Sequence, residues 1–298
     1  MKKIISILTV LVVFYFVSCD RIKDPIIKKS TVVGSNFITK NNFLVSSSKK
    51  TLLEDYTGMK CPNCPAAATT ASVLYTQYTP SLVVIAVHAG NFAKPFGVYT
   101  ADYRTDAGDA WNGTSGFGIT SNPNGIINRK AYAPNGLIVY HTTWGSIIPM
   151  AQNDPLVVKL DVTTNYDTLI GALNTSVNAI FKAAYAPNTH ISVVLTEDHI
   201  IGKQDNQGVE IDDYEFEHML RGAVNGAWGT PLTTSAKVIN DTVKVSFNDF
   251  NLKDLKYTSI SPPAVKPYTV NDKNVSVVVF VYNSITREVL QVESVKIR

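Results

Sequence analysis

Apolar positions along the chain fall into three textures. Residues 4–17 form one unbroken apolar run behind Lys2 and Lys3. From about residue 50 to 153, short apolar runs alternate with segments of helical spacing. Thr51–Tyr56 reads as a strand, Pro62 to about Tyr78 as an alanine-rich helix, and Ser81–His88 (Ser-Leu-Val-Val-Ile-Ala-Val-His) as a strand covered on both faces, because its apolar run is continuous. Strand, helix and strand in that order make a βαβ unit with a crossover helix. Leu137–Ala151, with Pro149 near its end, reads as a closing helix. After Asp154-Pro155, alternating or β-branched runs take over at Leu156–Thr164, Ile191–Thr196, Asp241–Phe247, Asn274–Tyr282 and Glu288–Ile297. Clusters of Asn, Asp, Gly and Pro split them, which is the pattern of an antiparallel β-sandwich. Thr168–Ala186 fits either paired strands or one helix.

The chemistry sits where the first strand meets the first helix. Thr57-Gly58-Met59-Lys60 leads into Cys61-Pro62-Asn63-Cys64-Pro65. With Cys61 at the helix N-terminus and Cys64 one turn on, the two sulfurs come within bonding distance. The helix dipole and its free amides favour a thiolate on Cys61, and Lys60 adds a positive charge beside it. Cys61 is therefore expected to attack and Cys64 to resolve; Pro65 falls in the first turn, where a missing amide is tolerated. Strand, turn, dithiol and helix is the order of a thioredoxin-like redox site. Ala89–Phe117, rich in glycine and aromatics, is an insertion expected to overlie the dithiol. Asn122-Pro123-Asn124-Gly125 precedes a short β-prone run. It resembles the thioredoxin segment whose cis proline packs against the dithiol, with the Asn122 backbone offered to a bound chain; the alternative is a plain Asn-Pro-Asn-Gly turn.

Two other roles compete for the cysteine pair. A two-residue gap closes too small a loop for a disulfide to stabilise the fold much. Zinc would need two more ligands, and His88, His141, His190, His199 and His218 show no ligand-like spacing, so no metal and no cofactor are expected. His88 reads as a structural group, His218 and Arg221 as packing or a surface contact, and Trp111, Trp144 and Trp228 as core. No paired carboxylates, Ser-His-Asp set or phosphate-cradling glycine loop stands out.

Composition and charge narrow the setting. The 298 residues are 45% hydrophobic and 17% charged, enough for about two domains with real cores. Without Lys2 and Lys3, 25 basic residues face 24 acidic ones, and no nucleic-acid partner is implied. The basic start, the short apolar run and Phe16-Val17-Ser18-Cys19 resemble a bacterial lipoprotein signal, cleaved before a Cys19 that then carries lipid. With Cys19 lipidated, Cys61 and Cys64 are the two thiols left in an exported, disulfide-permissive compartment. The expected order is a signal peptide (1–18), a lipidated tether (19–49), a thioredoxin-like α/β domain (50–153) and a β-sandwich domain (154–298). The tether holds the short β-prone pieces 30–33 and 42–45.

Several segments together resemble a Bacteroidetes family of outer-membrane lipoproteins related to the twenty-eight-kilodalton outer-membrane protein. They are Glu54-Asp55-Tyr56-Thr57-Gly58, the dithiol, Asn122 to Arg129, Tyr214 to Arg221 and Trp228-Gly229. The resemblance implies the same two-part architecture and a lipid-anchored place at the outer membrane. Met59-Lys60 stands where thioredoxins carry a tryptophan. Two functions follow as expectations: thiol–disulfide exchange with envelope proteins, or binding and assembly through the β-sandwich with the first domain as scaffold.

Overall fold

The computed structural model describes residues 37–41, 48–255 and 270–298. The leader, Cys19 and the pieces at 30–33 and 42–45 lie outside them. After β1 (Phe37–Asn41) comes the βαβ unit: β2 (Thr51–Thr57) runs parallel to β3 (Leu82–His88), with α1 (Cys64–Tyr78) between them in sequence. α1 buries Ala67, Ala71 and Leu74, spaced by four and three residues, so a narrow stripe of small side chains lets the helix lie close against Leu53, Val84 and Ile127. The helix stops just before Pro80, as a residue preceding proline disfavours helical backbone.

α2 (Asp106–Asn112) is capped by Thr105, whose hydroxyl accepts from the Gly108 amide. β4 (Asn124–Ile127) then pairs antiparallel with β2. The closing helix is shorter than expected: α3 spans Trp144–Gln152, while Val139 is extended and exchanges both backbone hydrogen bonds with Gly125. That contact needs glycine. A Cβ at position 125 would lie 2.6 Å from the Trp144 ring, which covers this spot.

The ambiguous segment resolves into strand. β5 (Val158–Asp167) and β6 (Ala172–Phe181) form an antiparallel pair over their whole length, and Leu173, Val177, Ala179 and Phe181 are buried with the period of two that a strand requires. The remaining strands are β7 (Thr189–Glu197), β8 (Ile200–Asn206), β9 (Val209–Phe216), β10 (Met219–Ala223), β11 (Thr230–Thr233), β12 (Thr242–Asn251), β13 (Val275–Asn283) and β14 (Val289–Lys296). Among the described residues they build a four-stranded sheet in the order β1-β5-β6-β12, a separate β8–β9 hairpin, and one large sheet ordered β14-β13-β7-β10-β3-β2-β4, with β11 also on β7.

The large sheet crosses the change of texture near residue 153. β10 joins β3 in parallel at Met219 and Ala86, and the Ala86 amide donates to His218 O at 2.8 Å. The sheet also curls, so that the Val289 amide at the start of β14 reaches Asn128 O, just past β4, at 2.8 Å. Its concave face is one core shared by both halves: Leu52, Tyr56, Ile85 and Val87 meet Phe280, Val289 and Val292 around Trp111 of α2. On the outer face, α1 and α3 cover β2, β3 and β4, and β5 and β6 cover β7 and β13. β13 is consequently buried on both faces from Val275 to Tyr282, where the sandwich pattern predicts one wet face. The fold as a whole is β-rich.

Candidate functional site

The dithiol loop departs from expectation at its first residue. A helix starting at Cys61 would need an amide at position 65 to bond the Cys61 carbonyl, and Pro65 has none. Helix α1 therefore begins at Cys64, and Gly58 to Asn63 form turns in which Cys61 N–H donates to Gly58 O (3.0 Å) and Cys64 N–H to Cys61 O (3.2 Å). Cys61 and Cys64 are joined as a disulfide. Gly58 is required on steric grounds: a Cβ there would fall 2.5 Å from the Phe92 carbonyl carbon, because the start of the 89–117 insertion lies directly on it. Lys60 places its ammonium 5.6 Å from the centre of the exposed Phe96 ring.

Both sulfur-bearing residues are buried, Cys61 at 1% and Cys64 at 2% exposure. The cover is the β8–β9 hairpin. Asp205 N–H donates to Met59 O (2.8 Å), Gln207 N–H to Pro62 O (3.0 Å), and the buried Gln204 Nε2 to Cys61 O (3.0 Å). Gln207 and Gly208 form its two-residue turn with φ of 56° and 84°, both positive, as the favoured tight hairpin turn requires. A small apolar cluster of Met59, Tyr103, Ile200, Phe216 and Met219 anchors the hairpin to the body. Sequence reasoning passed over this element, although Asp205-Asn206-Gln207-Gly208 between two apolar-alternating flanks carries the signal for it.

Behind the loop lies a cavity of about 270 Å³, between α1, the outer face of β2 and β3, and the end of β9. Cys64, Asp55, Thr57, His88, Gln204 and His218 help to line it. The parallel register pairs Asp55 with Ala86 and Thr57 with His88, so alternation turns all four side chains to the face that carries α1. Asp55 is buried, and its Oδ1 has no hydrogen-bond partner among the described residues. Loss of hydration pushes its carboxyl up to about 7. His88 is buried between the Tyr103 and Phe216 rings, with centroids 5.3 and 5.2 Å away. Burial, with Arg221 nearby, pushes its imidazole down to about 3, so it is neutral. In the sequence Asp55 stands out only as part of the Glu54–Gly58 segment, with no role of its own; two adjacent carboxylates in a strand that ends at the dithiol loop were the available signal.

The Asn122–Pro123 peptide is cis, and Pro123 is buried directly before β4, whose Asn124 pairs with Tyr56. Neither Asn122 nor Pro123 lines the cavity. Two segments singled out above meet elsewhere: Arg129 forms a bidentate ion pair with Glu54 (2.9 and 2.6 Å), fully buried inside rings of Trp111, Phe117, Trp228, Phe280 and Tyr282, all within 5.8 Å of the guanidinium. His218 faces the cavity and Arg221 pairs with Glu197 at 3.0 Å. Trp111 and Trp144 are core, as expected.

In three dimensions the chain is similar to HBP35 of Porphyromonas gingivalis, with a TM-score of 0.60 and 15% identity over 84% of this chain and 75% of that one. A protein of Agrobacterium tumefaciens aligns with a TM-score of 0.48 and 11% identity, covering 85% of this chain and 96% of that one. A domain of the outer membrane lipoprotein Omp28 from Porphyromonas gingivalis aligns with a TM-score of 0.28 and 20% identity, covering 48% and 89%. No curated protein matches in sequence. Residues 112–298, well over half of the chain, match the family described as outer membrane protein Omp28, and the chain belongs to that family of outer-membrane proteins.

Proposed function

We propose that this outer-membrane protein is anchored by lipid on Cys19 and exchanges disulfides with envelope proteins through Cys61 and Cys64, held on a thioredoxin-like unit formed by β2, α1, β3 and β4. The observation that carries the proposal is the Cys61–Cys64 disulfide at the start of α1, with Cys64 sharing a cavity with a buried carboxyl that titrates near neutrality. Structural disulfides have no need of such a group. Acting as a reductant, Cys61 thiolate attacks a sulfur of the partner's disulfide, and one partner thiolate leaves. Cys64 then gives its proton to Asp55 and attacks Cys61, which releases the second partner thiolate and closes the Cys61–Cys64 bond. Two electrons pass from the dithiol to the partner; water returns the proton that Cys61 lost on forming its thiolate, and Asp55 gives up the one it took from Cys64, so that both partner thiolates end as thiols.

Burial of both cysteines favours a second role, a binding protein in which the disulfide only fastens the loop beneath the hairpin. Trapping separates the two. Cys64→Ser is expected to accumulate mixed disulfides with envelope proteins, since the resolving thiol is gone. A variant that traps no partner would leave the binding role.

A further inference from the structure

A second group of side chains, unused in the exchange chemistry, adjoins the same cavity through Glu215 and Glu217. His199, between β7 and β8, has a left-handed backbone (φ 59°), rare for a residue with a side chain. Its Nδ1 lies 2.7 Å from Glu215 Oε1 and 2.9 Å from Glu217 Oε1. Glu215 and Glu217 flank Phe216, whose ring is turned onto His88. The three ligand atoms lie within 4.8 Å of one another. Neighbouring charges are already committed: Asp198 accepts from His218 (3.1 Å) and from Lys296 (2.5 Å).

We propose that His199, Glu215 and Glu217 bind a first-row divalent cation of the zinc type. One imidazole nitrogen carries at most one proton, yet it faces two carboxylates. A dication bonded to all three would balance both negative charges, which a single shared proton does not. One nitrogen and two carboxylate oxygens suit zinc and its neighbours, whereas magnesium and calcium prefer all-oxygen sets. Bonds of about 2.0–2.2 Å in tetrahedral geometry need the ligand atoms roughly 3.3 Å apart. The three side chains are 36–59% exposed, so small rotations can open them to that spacing. Three protein ligands leave a fourth position for water or an incoming donor. The cation would also tie the entry of β8 to the end of β9 and so fasten the hairpin that covers Cys61. Sixteen residues separate His199 from Glu215, a spacing that matches no sequence motif; hairpin pairing assembles the set.

The test is calorimetric titration of the oxidised full chain, stripped with chelator, with zinc chloride. The closed disulfide withholds both sulfurs, so the outcome does not depend on the exchange chemistry. One zinc per chain is expected, with affinity at least about tenfold weaker in His199→Asn and in Glu215→Gln. Asn accommodates the left-handed backbone, and the melting curves without zinc should match the wild type. In wild type, zinc should slow hydrogen exchange across residues 200–216, and in His199→Asn it should not. No saturable uptake, or variants that bind like wild type, overturns the site. Unchanged exchange overturns the fastening of the hairpin.

Discussion

Replacing Asp55 by Asn tests the buried carboxyl without changing its shape. In the unfolded chain an aspartate titrates near 3.9; in the folded protein burial holds Asp55 at about 7. The folded pKa is raised, so the folded state keeps a proton that the unfolded state has lost. Below about pH 4 both states are protonated and Asp55 costs nothing. As pH climbs from 4 to 7 only the unfolded state ionises, and stability falls by about 1.4 kcal/mol per pH unit. Above 7 both states are ionised and the cost is constant, at about 4 kcal/mol for a shift of roughly three units. Asn at this position never ionises. The stability of Asp55→Asn minus that of wild type should therefore grow from its pH 4 value by about 4 kcal/mol between pH 4 and 8, then level off. Urea unfolding of both oxidised proteins at pH 4, 5.5, 7 and 8.5 measures this difference, and subtraction removes every titration the two share. A gap that stays flat across that range would mean that Asp55 is hydrated and titrates normally, and its role as proton acceptor for Cys64 would fall with it.

His88 should act with the opposite sign. Its folded pKa is depressed to about 3, so wild type loses stability as pH falls from 6.5 toward 3, and His88→Gln should gain on wild type by roughly 5 kcal/mol over that window in a urea series extended to pH 3. Between pH 4 and 6.5 the Asp55 and His88 contributions run in opposite directions and nearly cancel each other. Glu54→Gln leaves the Arg129 guanidinium buried without its counter-ion, and urea unfolding should show a loss of about 3–5 kcal/mol.

Local signals foretold the parts of the fold that depend on them. The continuous apolar run at Leu82–His88, the alanine stripe of α1 and the period of two in the C-terminal strands reflect burial that each segment meets along its own length. What joins β3 to β10 is a backbone pairing at one position, Met219 to Ala86, which leaves no mark on side-chain pattern. α3 came out short because Val139 has a backbone partner in Gly125, fourteen residues away and invisible to helical spacing. The cysteine pair was plain from its spacing, whereas Asp55 and His88 reach the same cavity only through strand register. The burial of Cys61 leaves no trace near it in the sequence, because its cover arrives from residues 204–207, more than 140 positions downstream.

The curled sheet leaves the chain without a seam. The family match begins at residue 112, after the dithiol, α1, β2 and β3, yet those two strands stand between β4 and β10 in the finished sheet. A fragment starting at 112 would hold the two flanks of a sheet with its middle missing, and one ending at 153 would bare the edge of β3 and half of the Phe280–Trp111 core. Each half therefore completes the other's sheet and core, and cutting the chain between them would expose both.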